Sequence, residues 1–411
     1  MKESIKKRIE AVRHGEVPEG YRIENGYLIP NDWKTVPLNR RFTRSTRKNK
    51  SGCENVLTIS AQMGLVNQRE FYDKDIASED KSGYFLMKNG EFAYNKSYST
   101  GYPYGAIKQL AKYDEGIVSP LYICFAPKAG TNTAFYTQYF EGGRYNREIY
   151  RIAQEGARNH GLLNIAVDDF FTGTLTEPGA DEQQRIAEIL ATCDRVIELT
   201  QGKIDELNKL KQTCLRKMFP QKGQAVPEAR FPGFSDPWEQ RKLGDMCEEF
   251  QSGSFISASE IYDSGTYPVY GGNGLRGYTE SYNHDGVFAL IGRQGARCGN
   301  MNISKGKAYF TEHAVACKAN KSHDTEFLYY LFGTLNLGQY SGQSAQPGLA
   351  VGNLVEVVAK APTKNEQVAI ASYFIKLDNL ITLHQRELEE YEKYKKALMQ
   401  LLLTGLVRVN A

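Results

Sequence analysis

The chain lacks paired cysteines. It has seven, an odd number, and no two form a C-x-x-C step, so neither a disulfide framework nor zinc-finger spacing is available. Reduced thiols in a cytosolic protein are the expectation. Histidine is sparse: the six residues at 14, 160, 284, 313, 323 and 384 show no ligand spacing, which points to surface or structural roles. Long apolar runs are missing as well. The most apolar stretch, residues 397–407, is interrupted by Gln400, Thr404 and Gly405 and is too short to span a bilayer. The first fourteen residues are charged and carry no signal-peptide core. Ile5, Ile9 and Val12 fall instead on one face of a short amphipathic helix. The chain therefore reads as soluble and cytoplasmic, with no membrane partner. A large excess of one charge is also absent. A net charge of +3 is too small to argue for nucleic acid, so any basic footprint must come from local clustering.

Common catalytic signatures are missing too. There is no G-x-x-x-x-G-K-[ST] phosphate loop, no H-E-x-x-H, no G-x-S-x-G elbow and no Asn-Pro-Pro-aromatic tetrapeptide of amino-methyltransferases. Gly272, Gly274 and Gly277 satisfy G-x-G-x-x-G, but a dinucleotide site needs a helix directly after it, whose N-terminal N–H groups hold the pyrophosphate. Residues 278–286 read as strand and turn, so the triplet reads as a small-residue loop that approaches another surface.

What the chain does have is a repeat. At 411 residues it has room for two or three domains, and 41% hydrophobic with 24% charged residues is ordinary for a globular protein. Shifted by 184 positions, one segment matches another at Ile186/Ile370, Ala187/Ala371, Asp194/Asp378, Ile197/Ile381, Leu199/Leu383, Gln201/Gln385, Glu206/Glu390, Lys209/Lys393 and Lys211/Lys395. The two tryptophans echo each other: Pro30-Asn-Asp-Trp33 then Leu38, and Ser235-Asp-Pro-Trp238 then Leu243. The layout is variable block, similar helix, variable block, similar helix.

Both similar segments carry a heptad stripe. The first runs Ile186, Leu190, Cys193, Ile197, Ile204, Leu207, Cys214, Met218; the second runs Ile370, Phe374, Leu377, Ile381, Leu388, Tyr391, Leu398, Leu402. Asp181 with Gln184, and Thr363 with Glu366, read as capping pairs at the starts; Pro220 and Gly405 read as stops. A helix of 38 residues is about 57 Å long. It cannot hide its stripe alone, but two matched helices can bury each other's, and an antiparallel pairing would hold the two blocks at opposite ends. Packing of each helix on its own block alone is the competing arrangement. His384 falls on the seam as a polar register residue. The variable blocks read as mixed α/β, with strand-like runs at 54–60, 117–125, 267–270, 287–291 and 314–318. Residues 221–236 read as a linker.

Five segments offer nucleic-acid chemistry. Arg40, Arg41, Arg44, Arg47, Lys48 and Lys50 crowd six positive charges together with no acid between them, as phosphate neutralisation needs; a solvated basic loop is the competing reading. Residues 95–102 combine Lys96, Ser97, Tyr98 and Tyr102. Residues 270–277 offer Tyr270, Asn273 and Arg276 among glycines; residues 293–297 offer Arg293, Gln294 and Arg297; residues 339–346 include Gln343. Arg bonds guanine bidentately, Gln and Asn bond adenine, and glycine admits close backbone approach.

In the order of these motifs the chain resembles the DNA specificity subunits of type I restriction-modification systems. The residues that carry the resemblance are Pro30-Asn-Asp-Trp33, Phe231-Pro-Gly-Phe234 through Trp238 and Leu243, and two Pro-x-x-x-Glu-Gln-x-x-Ile-Ala-x-x-x-x-x-x-Asp segments that begin at Pro178 and Pro362. The Arg293-Gln-Gly-Ala296 loop resembles the second-block pattern. The resemblance implies an α+β chain with two α/β target recognition domains and two long antiparallel helices in an intramolecular coiled coil, arranged as a pseudo-twofold repeat. The expected bounds are an N-terminal segment 1–25, a first recognition domain 26–180, a first helix 181–220, a linker 221–235, a second recognition domain 236–363, a second helix 364–404 and a tail 405–411. The resemblance further implies a non-catalytic protein that binds double-stranded DNA and assembles with two modification subunits and with restriction subunits. S-adenosylmethionine, ATP and Mg would belong to those partners, and no cofactor to this chain. A coiled-coil scaffold that binds protein only is the alternative.

Overall fold

A computed structural model describes residues 3–73, 77–99, 101–153, 163–221, 223–295, 298–342 and 348–409. The chain divides into two compact units: residues 1–199 with 388–411, and residues 200–387.

The first unit opens with the expected helix, Glu3–Arg13, and a hairpin of Tyr21–Glu24 with Tyr27–Pro30. Its main sheet has four antiparallel strands in the order Phe42–Arg44, Ile123–Pro127, Phe92–Asn95, Ala106–Gln109. The helix Thr133–Glu141 covers it with aromatic rings. Phe42 meets Phe92, Phe125 and Tyr136 edge-on at 5.1–5.5 Å, a favourable quadrupole geometry. Residues 117–125 are not one strand. Gly116, Ile117 and Val118 end a strand that pairs with Phe85–Lys88, and Ile123 begins the next. Pro120 lacks the ladder N–H, and a turn closes with Tyr122 N–H on the Ser119 carbonyl.

The second unit holds a six-stranded sheet in the order Cys247–Ser252, Ala314–Ala319, His284–Gly292, Met301–Phe310, Tyr267–Gly271, Gly274–Thr279. Its pairings are antiparallel except Tyr267–Gly271 beside Met301–Phe310, which run parallel. The helix Thr325–Thr334 packs Phe327, Leu328, Leu331 and Phe332 into the core beneath it, with Phe219, Trp238 and Phe374.

The same junction occurs in both units. A two-stranded sheet, Lys34–Pro37 with Thr174–Glu177 in one and Glu239–Lys242 with Val358–Ala361 in the other, leads directly into a 39-residue helix, Ala180–Met218 or Lys364–Leu402. In each unit the start of one long helix packs antiparallel on the end of the other. In the first, Ile186, Ala187 and Leu190 share a core with Met399, Leu402 and Leu403. In the second, Ile370, Ala371 and Phe374 share one with Met218 and Phe219, and Leu207 meets Leu377 and Ile381. The ion pairs cross in the same sense. Asp194 takes Lys395 in the first unit and Asp378 takes Lys211 at 2.5 Å in the second, so each repeat residue pairs with the counterpart of its own mate. The antiparallel coiled coil expected from the stripe is therefore present.

Four local expectations change. The first long helix begins at Ala180, so Asp181 lies inside its first turn. Glu366 does not reach back to form a capping box, because its carboxylate is held by Arg230. Tyr391 is 37% exposed and Met399 and Leu403 are buried in its stead: a straight helix of 3.6 residues per turn drifts off a 3.5-residue repeat. The segment read as a linker is likewise pinned. Arg230 donates to Glu366, Ala229 N–H reaches the Lys217 carbonyl, and the Phe231 ring lies 5.9 Å from that of Tyr373. His384 bonds within its own helix, to Glu387 at 2.8 Å.

Candidate nucleic-acid interface

In the second unit, sheet topology draws separate loops into one cleft. Strand Tyr267–Gly271 reverses through Gly272 and Asn273 into Gly274–Thr279. Gly277 has φ +151, and a Cβ there would stand 2.6 Å from the Tyr262 carbonyl oxygen, so only glycine lets this hairpin lie against the Tyr262 bridge. The parallel pairing sets Val269 and Tyr270 beside Tyr309 and Phe310, and Thr311 N–H donates to the Tyr270 carbonyl at 2.9 Å. That bond brings the hairpin against the turn containing Glu312 and His313. Strand His284–Gly292 then delivers Arg293, whose N–H donates to the His313 carbonyl at 2.9 Å. The result is a cleft of about 490 Å³ lined by Gly272, Asn273, Arg276, Gln294, Gly295, His313 and Gly348.

The sequence-derived candidates divide clearly here. Asn273, Arg276 and Gln294 are exposed in the cleft, and among the described residues none engages their side chains. Tyr270 instead packs against Phe288, Leu290 and Phe310, and burial holds its hydroxyl above the usual tyrosine range. Arg293 is tied down: Nε donates to the Leu349 carbonyl at 2.9 Å and Nη1 to Ser252 Oγ at 3.2 Å, while its own carbonyl accepts Leu349 N–H. Arg297 and Gln343 lie outside the described residues. His313 was not a sequence candidate. It lines the cleft with Nε2 3.2 Å from Glu312 and Nδ1 buried without a partner among the described residues, and only the sheet order could have placed it there.

In the first unit much of the basic run is spent on internal structure. Arg41 grips the buried Glu177 through Nε and Nη2, one bidentate edge, in an ion pair that the Tyr136 hydroxyl joins as a donor. Arg47 reaches Glu91 at 3.1 Å and the Leu86 carbonyl. Lys48 donates to the Gly83 carbonyl and lies 4.5 Å over the Phe85 ring. Arg40, Arg44 and Lys50 remain exposed. In the 95–102 segment, Tyr98 is exposed, Lys96 and Ser97 are half-buried, and Ser97 N–H is bonded to Asn95. Tyr102 donates to Glu141 at 2.8 Å beneath Lys108, and burial raises its pKa. Tyr102 lines a separate cleft with Glu141, Asp194 and Lys395, to which none of the arginines of the basic run contributes.

The described residues contain no group of His, Cys, Asp and Glu able to hold a metal ion, and no helix long and apolar enough to cross a membrane. The glycine triplet runs into strand Gly274–Thr279, which supplies no helix N-terminus for a pyrophosphate.

The chain thus combines a duplicated strand-to-helix junction, two sheet-bearing units and an open cleft with exposed guanidinium and carboxamide side chains. Residues 235–393 match the family model of the type I restriction modification DNA specificity domain. The chain is 41% identical over 146 residues to the type I restriction enzyme EcoprrI specificity subunit of Escherichia coli, covering 34% of this chain and 36% of that one. It is 26% identical to the MjaVIII specificity subunit of Methanocaldococcus jannaschii over 57% of this chain and 62% of that protein. It is 27% identical to the putative MjaX specificity subunit of the same organism over 93% and 95%. The chain thus spans about a third and three-fifths of the first two relatives and nearly all of the third. In fold it resembles a type I restriction-modification S subunit from M. genitalium, with TM-score 0.62 and 16% identity over 93% of this chain and 97% of that one. Residues 235–393 thus carry the match to the type I restriction modification DNA specificity domain, and the relatives and the solved fold that the rest of the chain resembles are specificity subunits of type I restriction-modification systems.

Proposed function

We propose that the chain is the DNA-reading subunit of a type I restriction-modification assembly. Each unit reads one half of a split site on double-stranded DNA, and the paired helices set the interval between the halves. The observation that carries this reading is the duplicated junction with its crossed ion pairs, which gives one chain two equivalent mounts for two dissimilar recognition surfaces. Positive side chains exposed beside the first sheet and the open cleft of the second suit phosphate and base-edge contact respectively. The chain supplies no chemistry in this scheme. Two modification subunits, using S-adenosylmethionine, would methylate the site, and restriction subunits with ATP and Mg would cut. Two equivalent docking places fit the exposed apolar residues at matched positions of the long helices, Leu199 with Leu383 and Leu210 with Tyr394.

Two measurements test the proposal. Affinity for DNA should fall steeply with salt, the slope of log K against log salt reporting the phosphates neutralised; a flat slope would mean a protein-only scaffold. A heptad inserted after Leu207, matched by one at the facing Ile381, adds about 10 Å of helix. It should lengthen the spacer of the bound motif and leave both half-site sequences unchanged.

A further inference from the structure

The second unit separates side chains that hold its cleft from side chains that face out of it. We infer that Arg276, Asn273 and Gln294 are its specificity-determining residues, reading purine edges in the major groove, and that Arg293 is a positioning residue behind them. This rests on the DNA-reading function proposed above and adds to it a half-site chemistry: one G·C pair read at guanine O6 and N7 by Arg276, and at least one A·T pair read at adenine N6 and N7 by a carboxamide.

Three observations support the division. The first is engagement. Arg293 uses Nε and Nη1 on Leu349 and Ser252, and its main chain bonds His313 and Leu349, so one residue joins three of the segments that build the cleft. With Nε spent on Leu349, Arg293 has lost its side-on fork, and the Nη1 bond to Ser252 holds what remains of the guanidinium in place. Arg276, Asn273 and Gln294 have no intramolecular side-chain partner among the described residues and are exposed in the same cleft. The second is seating. The stem of Arg276 lies over Gly271, where a Cβ would come within 2.6 Å of its Cδ, so the methylenes rest on bare backbone and aim the charged end. The third is chemical kind. Carboxamide and guanidinium are the two groups that pair bidentately with the major-groove edges of adenine and guanine, whereas the minor groove offers A·T and T·A the same acceptors. Gly272 and Gly295 line the same cleft without side chains, leaving room for groove walls to approach.

The test uses the full-length chain and a randomised DNA duplex library. Wild type should select a split motif in which one half carries a G·C and an A·T pair. Arg276→Ala should relax the G·C position alone, and Gln294→Ala or Asn273→Ala an A·T position alone. Arg293→Gln should weaken binding to every selected sequence by a similar factor with the motif unchanged, and should speed hydrogen exchange at the Leu349 amide. Replacing the selected guanine with 7-deazaguanine should weaken wild type roughly 5- to 150-fold, and should add nothing to Arg276→Ala. The inference is overturned if 7-deaza purines are tolerated throughout that half, if their effect persists in Arg276→Ala, or if Arg293→Gln changes the selected bases. A wild-type chain that selects no motif overturns the DNA-reading proposal itself; a selected motif indifferent to these substitutions overturns only the assignment.

Discussion

The two units solve one problem differently. Each buries a glutamate at the matched start of its long helix, Glu182 in the first and Glu366 in the second, and a buried carboxylate requires a compensating partner. Glu182 receives three kinds of donor: Trp33 Nε1 at 3.1 Å, Arg408 through Nε and Nη2 at 2.8 Å, and Val409 N–H. Arg408 is itself shared with Asp32, whose pKa it lowers. Among the described residues Glu366 has only Arg230 as a side-chain partner, at 2.9 and 2.6 Å, and the matching Trp238 leaves Nε1 buried and unpaired. In both units the cation comes from the segment just past the end of a long helix, and in both the adjoining glutamine caps the same carbonyl, Gln183 on Pro178 and Gln367 on Pro362. The repeat thus preserves the carboxylate and its need for charge, while the supporting donors are free to vary.

The largest test of that contrast is removal of the cation. Arg230→Ala strands Glu366 and should cost the second unit about 3–5 kcal/mol. Arg408→Ala leaves Glu182 its tryptophan donor and should cost the first unit about 1–3 kcal/mol. Urea unfolding combined with hydrogen exchange in peptides from each unit measures both, and equal losses would break the contrast. Next in size is the tryptophan pair. Trp33→Phe gives up a bond to a charged acceptor, whereas Trp238→Phe gives up an N–H with no partner. The first should therefore be the costlier by roughly 1–2 kcal/mol in the same assay. The smallest effect is one of pH. Burial, then the charges of Arg241 and Lys364, hold His323 below the usual histidine range. The native side chain thus stays neutral where the unfolded one, titrating near 6.5, takes a proton. Its contribution is present above that pH and is lost as pH falls toward the native value. His323→Asn should flatten the decline of second-unit stability between about pH 7 and pH 5, and leave the first unit unaffected.

The long helices were legible because their apolar spacing persists for five heptads, and because two copies constrain each other. The decoy glycine triplet was legible because the residues after Gly277 alternate like a strand. Other features depend on partners distant in sequence. Arg41 and Arg47 looked free because Glu177 and Glu91 lie 136 and 44 residues away, and residues 221–236 looked loose because Glu366 lies equally far from Arg230. Two of the loops that form the cleft carried the right side chains in sequence, yet which of those side chains faced outward was decided by strand order. Arg293, the most inviting arginine on paper, is held by a carbonyl 56 residues away.

Ser252, Gly253 and Ser254, which form a strap at the end of strand Cys247–Ser252, have a practical consequence for re-targeting. Gly253 lies so close to the Phe310 carbonyl that any Cβ would collide with it, and Ser254 bridges to Thr311 just beyond. The strap that receives Arg293 is therefore locked to the turn that presents His313. Grafting a single loop from a related protein would import new contacts without the scaffold that aims them. The smallest exchangeable part is the set of strap, hairpin, Arg293 corner, His313 turn and Gly348–Leu349 segment together, and engineers seeking a new half-site should move all five or none.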